Sequence, residues 1–220
     1  MGKSAYLFDM DGVLVDNCRY HILSWLEIAR KYGGKLTEEE VVAWMGAPGR
    51  DYVRRMMGGE ISSERVEALQ VEKESLYREI YGPHLKPREG LVGLLESARC
   101  QGIPCAIATG GSIANVDFVL DGLDLRRFFL SIVDSSKYSR GKPAPDCYLK
   151  SAEELGVIPS ECVVFEDAVN GIEAARAAGM RVVAITGTNS RGTLAAAGAD
   201  LIVDTFEGLT PTALKGLSPA

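Results

Sequence analysis

The chain has 220 residues, of which 46% are hydrophobic and 25% charged, a composition typical of a globular protein with a sizeable core. Its formal net charge of −6 argues against a general affinity for nucleic acids or anionic membranes, because both bind basic surfaces. The five cysteines form no C-x-x-C pair, so reduced thiols are expected. The first apolar run ends at Phe8 and is too short for a signal peptide, so a cytoplasmic location is expected.

Short apolar runs alternate with helix-period segments over most of the chain. The runs interpreted as buried strands are 5–8, 104–108, 162–165, 182–185 and 201–203. Amphipathic helices are predicted from Leu91 to a C-cap at Gly102 and from Val169 to Gly179. Such alternation is typical of a parallel sheet covered on both faces. The sequence therefore predicts a doubly wound α/β domain.

The alternation stops between the first strand and Leu91. Helical spacing of apolar residues begins at Ile22, a capping box begins at Thr37, and residues 62–81 are rich in Glu, Lys, Arg and Leu. We therefore predict an α/β core domain of residues 1–15 and 88–220. Residues 16–87 would form an all-helical cap domain inserted after the first strand.

Two acidic residues follow the first strand in Phe8-Asp9-Met10-Asp11-Gly12. Ligands of doubly wound sheets bind beyond the carboxyl ends of strands, and a carboxylate there can attack phosphorus to form an aspartyl phosphate. A second carboxylate can protonate the leaving oxygen and later accept a proton from water. An ordinary strand-to-loop turn is the alternative, since Asp and Gly are common in turns.

Two later segments could bind an anion. In Thr109-Gly110-Gly111-Ser112 a hydroxyl and exposed backbone N–H groups can approach a phosphate; a plain turn with Ser112 as a helix N-cap is the alternative. In Gly141-Lys142-Pro143 the ammonium is a compact positive charge, and the alternative is a solvated surface lysine.

A second acidic pair, Glu166-Asp167, follows another strand. Adjacent carboxylates at a strand end repel each other unless a cation lies nearby, and Mg²⁺ prefers oxygen ligands. A helix N-cap beside an exposed Glu is the alternative. Taken together, the four segments supply the nucleophile and the positive field that phosphoryl transfer requires.

The segments FDMDGV, ATGGS, GKPAPD and FEDAVNGIEAARAAGM together resemble the four motifs of the haloacid dehalogenase superfamily, over essentially the whole chain. The chain resembles in particular the helical-cap subfamily that includes β-phosphoglucomutase, phosphoglycolate phosphatase and sugar-phosphate phosphatases. Dehalogenating relatives lack the second Asp of the first motif, so Asp11 indicates phosphate substrates. Response-regulator receiver domains use similar groups, but their acidic pair lies on the first strand, and they are shorter and have no insert.

The resemblance implies roles for the motif residues. Asp9 would be the nucleophile, and Asp11 the acid and base, with its backbone carbonyl on Mg²⁺. Phosphate would be bound by Thr109, Gly110 and Lys142. The metal site would comprise Asp9, Asp11, Asp167 and Glu166, the last binding either directly or through its neighbours.

Five positions of the insert are candidate substrate contacts: Asn17, His21, Gly46, Arg50 and Lys73. His21 and Lys73 match mutase-like cap positions, and Arg50 could bind a second phosphate or carboxylate bidentately. The alternatives are a satisfied histidine at a helix start, a solvated arginine, and a lysine on a charged face. Two departures weaken a mutase assignment, because Asn17 replaces a threonine and the Gly46–Arg50 spacing is one residue longer.

The expected activity is a Mg²⁺-dependent phosphatase acting on a small phosphorylated metabolite, with a sugar phosphate as the first expectation. The alternative is a β-phosphoglucomutase-type isomerase, and a non-enzymatic binding or regulatory module is the third hypothesis. No nucleic acid or membrane partner is expected. A monomer is expected.

Overall fold

The computed structural model of the protein describes residues 4–44 and 49–217. The chain divides into two compact units, one of Met1–Asp16 with Lys86–Ala220 and one of Asn17–Leu85. None of the described helices is both long enough and apolar enough to cross a membrane.

The first unit contains, within the described residues, a six-stranded parallel sheet. Its strands are β1 (Ala5–Phe8), β2 (Cys105–Ala108), β3 (Phe129–Val133), β4 (Cys162–Glu166), β5 (Arg181–Ile185) and β6 (Leu201–Val203). Their spatial order is β3-β2-β1-β4-β5-β6, and all neighbours run parallel. The direction of winding reverses between β1 and β4, which is where doubly wound sheets bind ligands.

The second unit is helical, as the sequence predicts. Its helices are α1 (Cys18–Lys31), α2 (Glu38–Ala43), α3 (Gly49–Met57) and α4 (Ser63–Tyr81). The predicted capping box is present, because the Thr37 hydroxyl accepts from the Glu40 N–H and the Glu40 carboxylate accepts from the Thr37 N–H. Apolar side chains that include Trp25, Tyr52 and Leu69 form a core of this unit's own.

Helices of the first unit cover the sheet. They are α5 (Leu91–Cys100), α6 (Ile113–Gly122), α7 (Asp146–Leu155), α8 (Val169–Ala177), α9 (Arg191–Ala196) and α10 (Pro211–Lys215). All four residues of β1 are buried, as expected for a central strand that has helices over both faces. The predicted α/β class with a parallel sheet and a helical insert is confirmed.

Strand β3 was not among the predicted strands, and β2 begins at Cys105, one residue later than predicted. The β3 segment lies at the edge of the sheet, where Leu130 is 77% exposed and Ser131 interrupts the apolar run. An edge strand has one neighbouring strand and is less covered, so its sequence lacks the continuous apolar signal of a central parallel strand.

Candidate active site

The predicted nucleophile lies where the winding of the sheet reverses. Asp9 directly follows β1, and its backbone N–H donates to the Phe165 carbonyl of β4 at 3.0 Å. Glu166 is the last residue of β4, and Asp167 follows it. One carboxylate oxygen from each of Asp9, Glu166 and Asp167 lies within 4.8 Å of the others, and all three residues are buried. The two predicted acidic segments therefore meet at the carboxyl ends of the neighbouring strands β1 and β4.

Lys142 lies among these carboxylates. Its ammonium donates to Asp9 Oδ1 at 2.6 Å, to Glu166 Oε1 at 2.6 Å and to the Ala108 carbonyl at the end of β2 at 3.2 Å. The side chain is only 10% exposed, and the Lys142–Pro143 peptide bond is cis. The alternative of a solvated surface lysine is therefore wrong.

The four hydrogen-bond donors around Glu166 occupy its carboxylate. Oε1 accepts from Lys142 Nζ and from the Tyr148 hydroxyl, each at 2.6 Å. Oε2 accepts from the backbone N–H groups of Asp167 at 2.9 Å and Ala168 at 3.2 Å. A carboxylate offers about four lone-pair positions, so these contacts favour Glu166 as the residue that holds Lys142.

Asp167 packs directly against the loop of the first motif. Gly12 has φ +78°, and a Cβ on it would lie 1.9 Å from Asp167 Oδ2. Only glycine therefore permits both this backbone conformation and the close approach of the carboxylate. Asn189 Nδ2 donates to the Asp167 carbonyl at 3.0 Å. The loop after β5 thus fixes the position of Asp167.

The predicted phosphate-binding loop follows β2. Thr109 is buried, and its hydroxyl accepts from the Gly111 N–H at 3.0 Å. The Tyr138 hydroxyl donates to the Thr109 carbonyl at 3.0 Å. A Cβ on Gly111 would lie 3.8 Å from Asp11 Oδ2, so the predicted acid/base residue lies beside this loop. Gly110 is exposed, which leaves its backbone accessible.

The surroundings shift the pKa values of the cluster. Burial raises the pKa of Asp9 to about 7; Lys142 opposes this increase, whereas Glu166 and Asp11 add to it. Burial, Glu166 and Asp9 likewise raise the pKa of Asp167 well above its usual value. Burial lowers the pKa of Lys142, but Asp9 and Glu166 together outweigh burial and raise it well above 10.5. The lysine is therefore charged at neutral pH.

The cluster has the donor set of a divalent-cation site. Three carboxylates and one ammonium leave two formal negative charges in a buried space, and like charges this close are unfavourable without a counter-charge. A divalent cation would balance them, and carboxylate oxygens are the ligands that hard cations prefer. The residues present therefore fit such a cation.

In the helical unit, three of the predicted substrate residues lie together. Lys73 Nζ lies 2.7 Å from His21 Nδ1 and donates to Glu74 Oε1 at 3.0 Å. The Lys73 side chain is 3% exposed, so the alternative of a lysine on a solvated charged face is wrong. Asn17 Nδ2 lies 3.4 Å from His21 Nε2, and the His21 ring stacks on Tyr77 with 3.8 Å between ring centroids.

Lys73 and His21 share a hydrogen bond. An ammonium can only donate hydrogen bonds, so Lys73 Nζ donates and His21 Nδ1 accepts. Asn17 Nδ2 donates to the Tyr77 hydroxyl at 2.6 Å. His21 and Lys73 form one hydrogen-bonded unit.

The remaining two insert candidates differ from these three. Arg50 lies in the first turn of α3, with its side chain 63% exposed and its Nε 3.9 Å from Asp51 Oδ1. Gly46 lies outside the described residues.

Sequence reasoning missed two residues that shape the cluster. Tyr148 was not singled out, because an aromatic residue in a helix is ordinarily a core residue. Gly171 lies in α8, and a Cβ on it would be 1.8 Å from Glu166 Oε1. The signal was a glycine in the first turn of a helix, where it lowers helix stability unless a close approach requires it.

We expect Gly171→Ala to destabilise the protein by about 1–3 kcal/mol, because the added methyl group overlaps the Glu166 carboxylate and forces it to move. Gly93→Ala is the matched control, since Gly93 lies in α5 and a Cβ there meets nothing within 4 Å. That change should stabilise the protein by about 0.5–1 kcal/mol. Urea unfolding of both variants measures the difference, and equal behaviour would contradict the contact at Gly171.

The site lies at the switch point of a doubly wound sheet and contains a buried carboxylate cluster, which includes Asp9, and a lysine. These groups define a site of the phosphoryl-transfer class. The chain belongs to the haloacid dehalogenase-like hydrolase family, whose model matches residues 6–185.

Similar proteins include several phosphatases. Fructose-1-phosphate phosphatase YqaB of Escherichia coli (strain K12) is 34% identical over 180 residues, which are 82% of this chain and 95% of that protein. Hexitol phosphatase A of the same strain is 34% identical over 215 residues, covering 96% of this chain and 95% of that protein. The prediction of a phosphatase-type enzyme in this family is confirmed.

Solved structures of the same fold cover nearly the whole chain. A HAD hydrolase, family IA, variant 3, from Entamoeba histolytica has a TM-score of 0.90 at 32% identity and covers 97% of this chain and 98% of its own. β-Phosphoglucomutase from Clostridium difficile has a TM-score of 0.85 at 26% identity, with 98% and 96% covered.

Proposed function

We propose that this protein is a Mg²⁺-dependent phosphatase that hydrolyses a small sugar phosphate through an aspartyl phosphate on Asp9. The observation that carries the proposal is the placement of the Asp9 carboxylate. It accepts a hydrogen bond from Lys142 at 2.6 Å and shares a buried cluster with Asp167 and Glu166. An anionic phosphate can approach a carboxylate only where such positive charge is present.

The proposed reaction has two steps. Asp9 Oδ attacks phosphorus, the bond to the ester oxygen breaks, and the sugar oxygen takes a proton from the Asp11 carboxyl group. Water then attacks phosphorus and gives a proton to Asp11, the bond to Asp9 breaks, and inorganic phosphate is released. Asp11 is suited to both roles because it lies beside Gly111 of the phosphate-binding loop.

Residues of three loops would hold the phosphoryl group and the cation. The Thr109 hydroxyl, the Gly110 backbone and the Lys142 ammonium are the proposed phosphate ligands. The Asp9 and Asp167 carboxylates with the Asp11 carbonyl are the proposed Mg²⁺ ligands, and the cation would neutralise charge on the phosphoryl oxygens. Glu166 would orient Lys142, since its lone pairs are already used.

The helical unit is proposed to select the substrate. The relatives described above are named for fructose 1-phosphate and hexitol phosphates, which makes a phosphorylated sugar or sugar alcohol the first candidate. In the helical unit, the buried Lys73 ammonium and the His21 imidazole bonded to it are the proposed contacts to hydroxyl or phosphate oxygens. Asn17, Gly46 and Arg50 remain proposed contacts.

A β-phosphoglucomutase-type isomerase is the second candidate. It is favoured by the fold shared with that enzyme and by the His21–Lys73 pair. Such an enzyme would return the phosphoryl group from Asp9 to another hydroxyl of the sugar. The phosphatase names of the relatives carry the greater weight.

The test supplies the purified protein with fructose 1-phosphate, hexitol phosphates, an aryl phosphate, and β-glucose 1-phosphate with a bisphosphorylated hexose primer. We expect inorganic phosphate from at least one sugar phosphate, loss of activity with EDTA, and recovery with Mg²⁺. Isomer formation in excess of phosphate release would establish the mutase instead. Absence of turnover on every ester would support a non-enzymatic module.

The same panel tests the helical unit. Lys73→Met should lower kcat/KM for the preferred sugar phosphate by more than about tenfold, and more than it does for the aryl phosphate. Lys31→Met is the matched control, because that lysine is exposed and pairs with Glu72 on the surface of the same unit.

A further inference from the structure

The Tyr148 hydroxyl is a polar group within the cluster that phosphoryl transfer itself does not use. Tyr148 lies in α7 and is fully buried. Its hydroxyl donates to Glu166 Oε1 at 2.6 Å, and the Lys142 ammonium lies 4.8 Å from the centre of its ring. Tyr148 therefore contacts both the carboxylate and the lysine without being placed to contact a substrate.

This hydroxyl completes the hydrogen bonding of Glu166. Lys142 and Tyr148 share Oε1, while two backbone N–H groups share Oε2. A carboxylate has about four lone-pair positions, so removal of the tyrosine hydroxyl would open one position on Oε1. An oxygen of Glu166 also lies within 4.8 Å of oxygens of Asp9 and Asp167, close enough for the carboxylate to share a cation with them.

We propose that Tyr148 is a positioning residue that keeps Glu166 bonded to Lys142 and away from the divalent cation, and so disfavours calcium relative to magnesium. The inference rests on the proposed function, since it requires the Asp9–Asp167 cation site. Tyr148 acts through Glu166 and has no contact with the reacting atoms.

The preference follows from the coordination chemistry of the two cations. Ca²⁺ takes six to eight oxygen ligands in flexible geometry, whereas Mg²⁺ demands a near-octahedral shell and is usually held by one or two carboxylates with water and substrate oxygens. A third free carboxylate oxygen in the cluster would therefore benefit Ca²⁺ more than Mg²⁺. When its lone pairs are occupied by hydrogen bonds, Glu166 cannot act as this third ligand.

The alternative is a packing role, in which the buried ring alone matters. Phenylalanine would then serve equally well, since the ring contacts Lys142 and the core in either case. Tyr148→Phe removes only the hydroxyl, so this variant separates the two interpretations.

The experiment measures Ca²⁺ and Mg²⁺ affinities by isothermal titration calorimetry without substrate, for the wild type, Tyr148→Phe, Glu166→Gln and the double variant. We expect Tyr148→Phe to increase the ratio of Ca²⁺ to Mg²⁺ affinity by on the order of tenfold. In the Glu166→Gln background the same change should have no further effect on the ratio, because the carboxylate through which it acts is absent. Inhibition of phosphatase activity by Ca²⁺ at fixed Mg²⁺ should rise in parallel.

Tyr52→Phe is the control for loss of a buried tyrosine hydroxyl. Tyr52 lies in the helical unit and donates to the Val41 carbonyl at 3.3 Å, so this variant should leave the affinity ratio unchanged. An unchanged ratio in folded Tyr148→Phe, in a wild type that hydrolyses sugar phosphates, overturns this inference alone. A shift that persists in Glu166→Gln also overturns it. A wild type that binds neither cation overturns both this inference and the proposed function.

Discussion

Replacement of Asp9 by asparagine is expected to lower turnover by at least about 10⁴-fold, because an amide cannot supply the oxygen nucleophile that attacks phosphorus. The side chain keeps its shape, so the protein should fold. The amide oxygen of the substituted side chain could still accept a hydrogen bond from Lys142. Steady-state phosphate release measures the loss, and acid quenching followed by mass spectrometry tests for a phosphoryl adduct in the wild type that is absent from the variant.

Asp200→Asn is the matched control for loss of a buried carboxylate. Asp200 Oδ2 accepts from the Val182 N–H at 2.7 Å near the start of β5, and Arg176 donates to the same carboxylate. This change should affect stability but not the chemical step, so kcat should stay within about threefold of the wild type. Metal-dependent turnover retained by Asp9→Asn would refute the role of Asp9.

Replacement of Lys142 by methionine is the second change with a large expected effect. The ammonium is the partner of Asp9 and Glu166, and it is almost fully buried. Its loss leaves the buried carboxylates of Asp9 and Glu166 without the ammonium group. In comparable buried ion pairs, removal of one partner lowers the free energy of unfolding by about 3–5 kcal/mol. Because Lys142 is also the proposed charge on the phosphoryl group, kcat/KM should fall by about 10²–10³-fold.

Urea unfolding in the presence of EDTA measures the stability effect of Lys142→Met, and phosphate release measures the effect on kcat/KM. Lys150→Met is the control, because Lys150 lies on the surface of α7 and pairs with Glu153 three residues later. A surface pair of this kind contributes about 0.5 kcal/mol or less. A Lys142→Met protein as stable as Lys150→Met would contradict the buried ion pairs.

Three residues of the candidate site could be found from the sequence because each follows a predicted strand. Asp9, Thr109 and Asp167 come directly after β1, β2 and β4, and parallel strands place their carboxyl ends at one edge of the sheet. Lys142 was harder to judge, since a lysine before a helix is usually solvated. Only its contacts with Asp9 and Glu166 distinguish it from a surface residue.

In the helical insert, too, some features were predictable from the sequence and others only from the tertiary structure. Its helices were predictable from capping residues and apolar spacing, as at Thr37. The burial of Lys73 was not predictable, because Glu72 and Glu74 beside it in sequence suggest a solvated face. Consecutive residues of a helix point in different directions, and Lys73 points towards His21 and the ring of Trp25.

The sequence by itself determined the α/β class, the helical insert and the order of the four motifs, because strand and helix periodicities and the residues at strand ends are local properties of the chain. The tertiary structure decided how the atoms of the site are shared: Glu166 is bonded by Lys142 and Tyr148, and Gly12 and Gly171 leave room for the two carboxylates of β4 and its loop. The number of lone pairs that a carboxylate has left depends on donors elsewhere in the chain, and only folding brings the Lys142 and Tyr148 donors within 3 Å of Glu166.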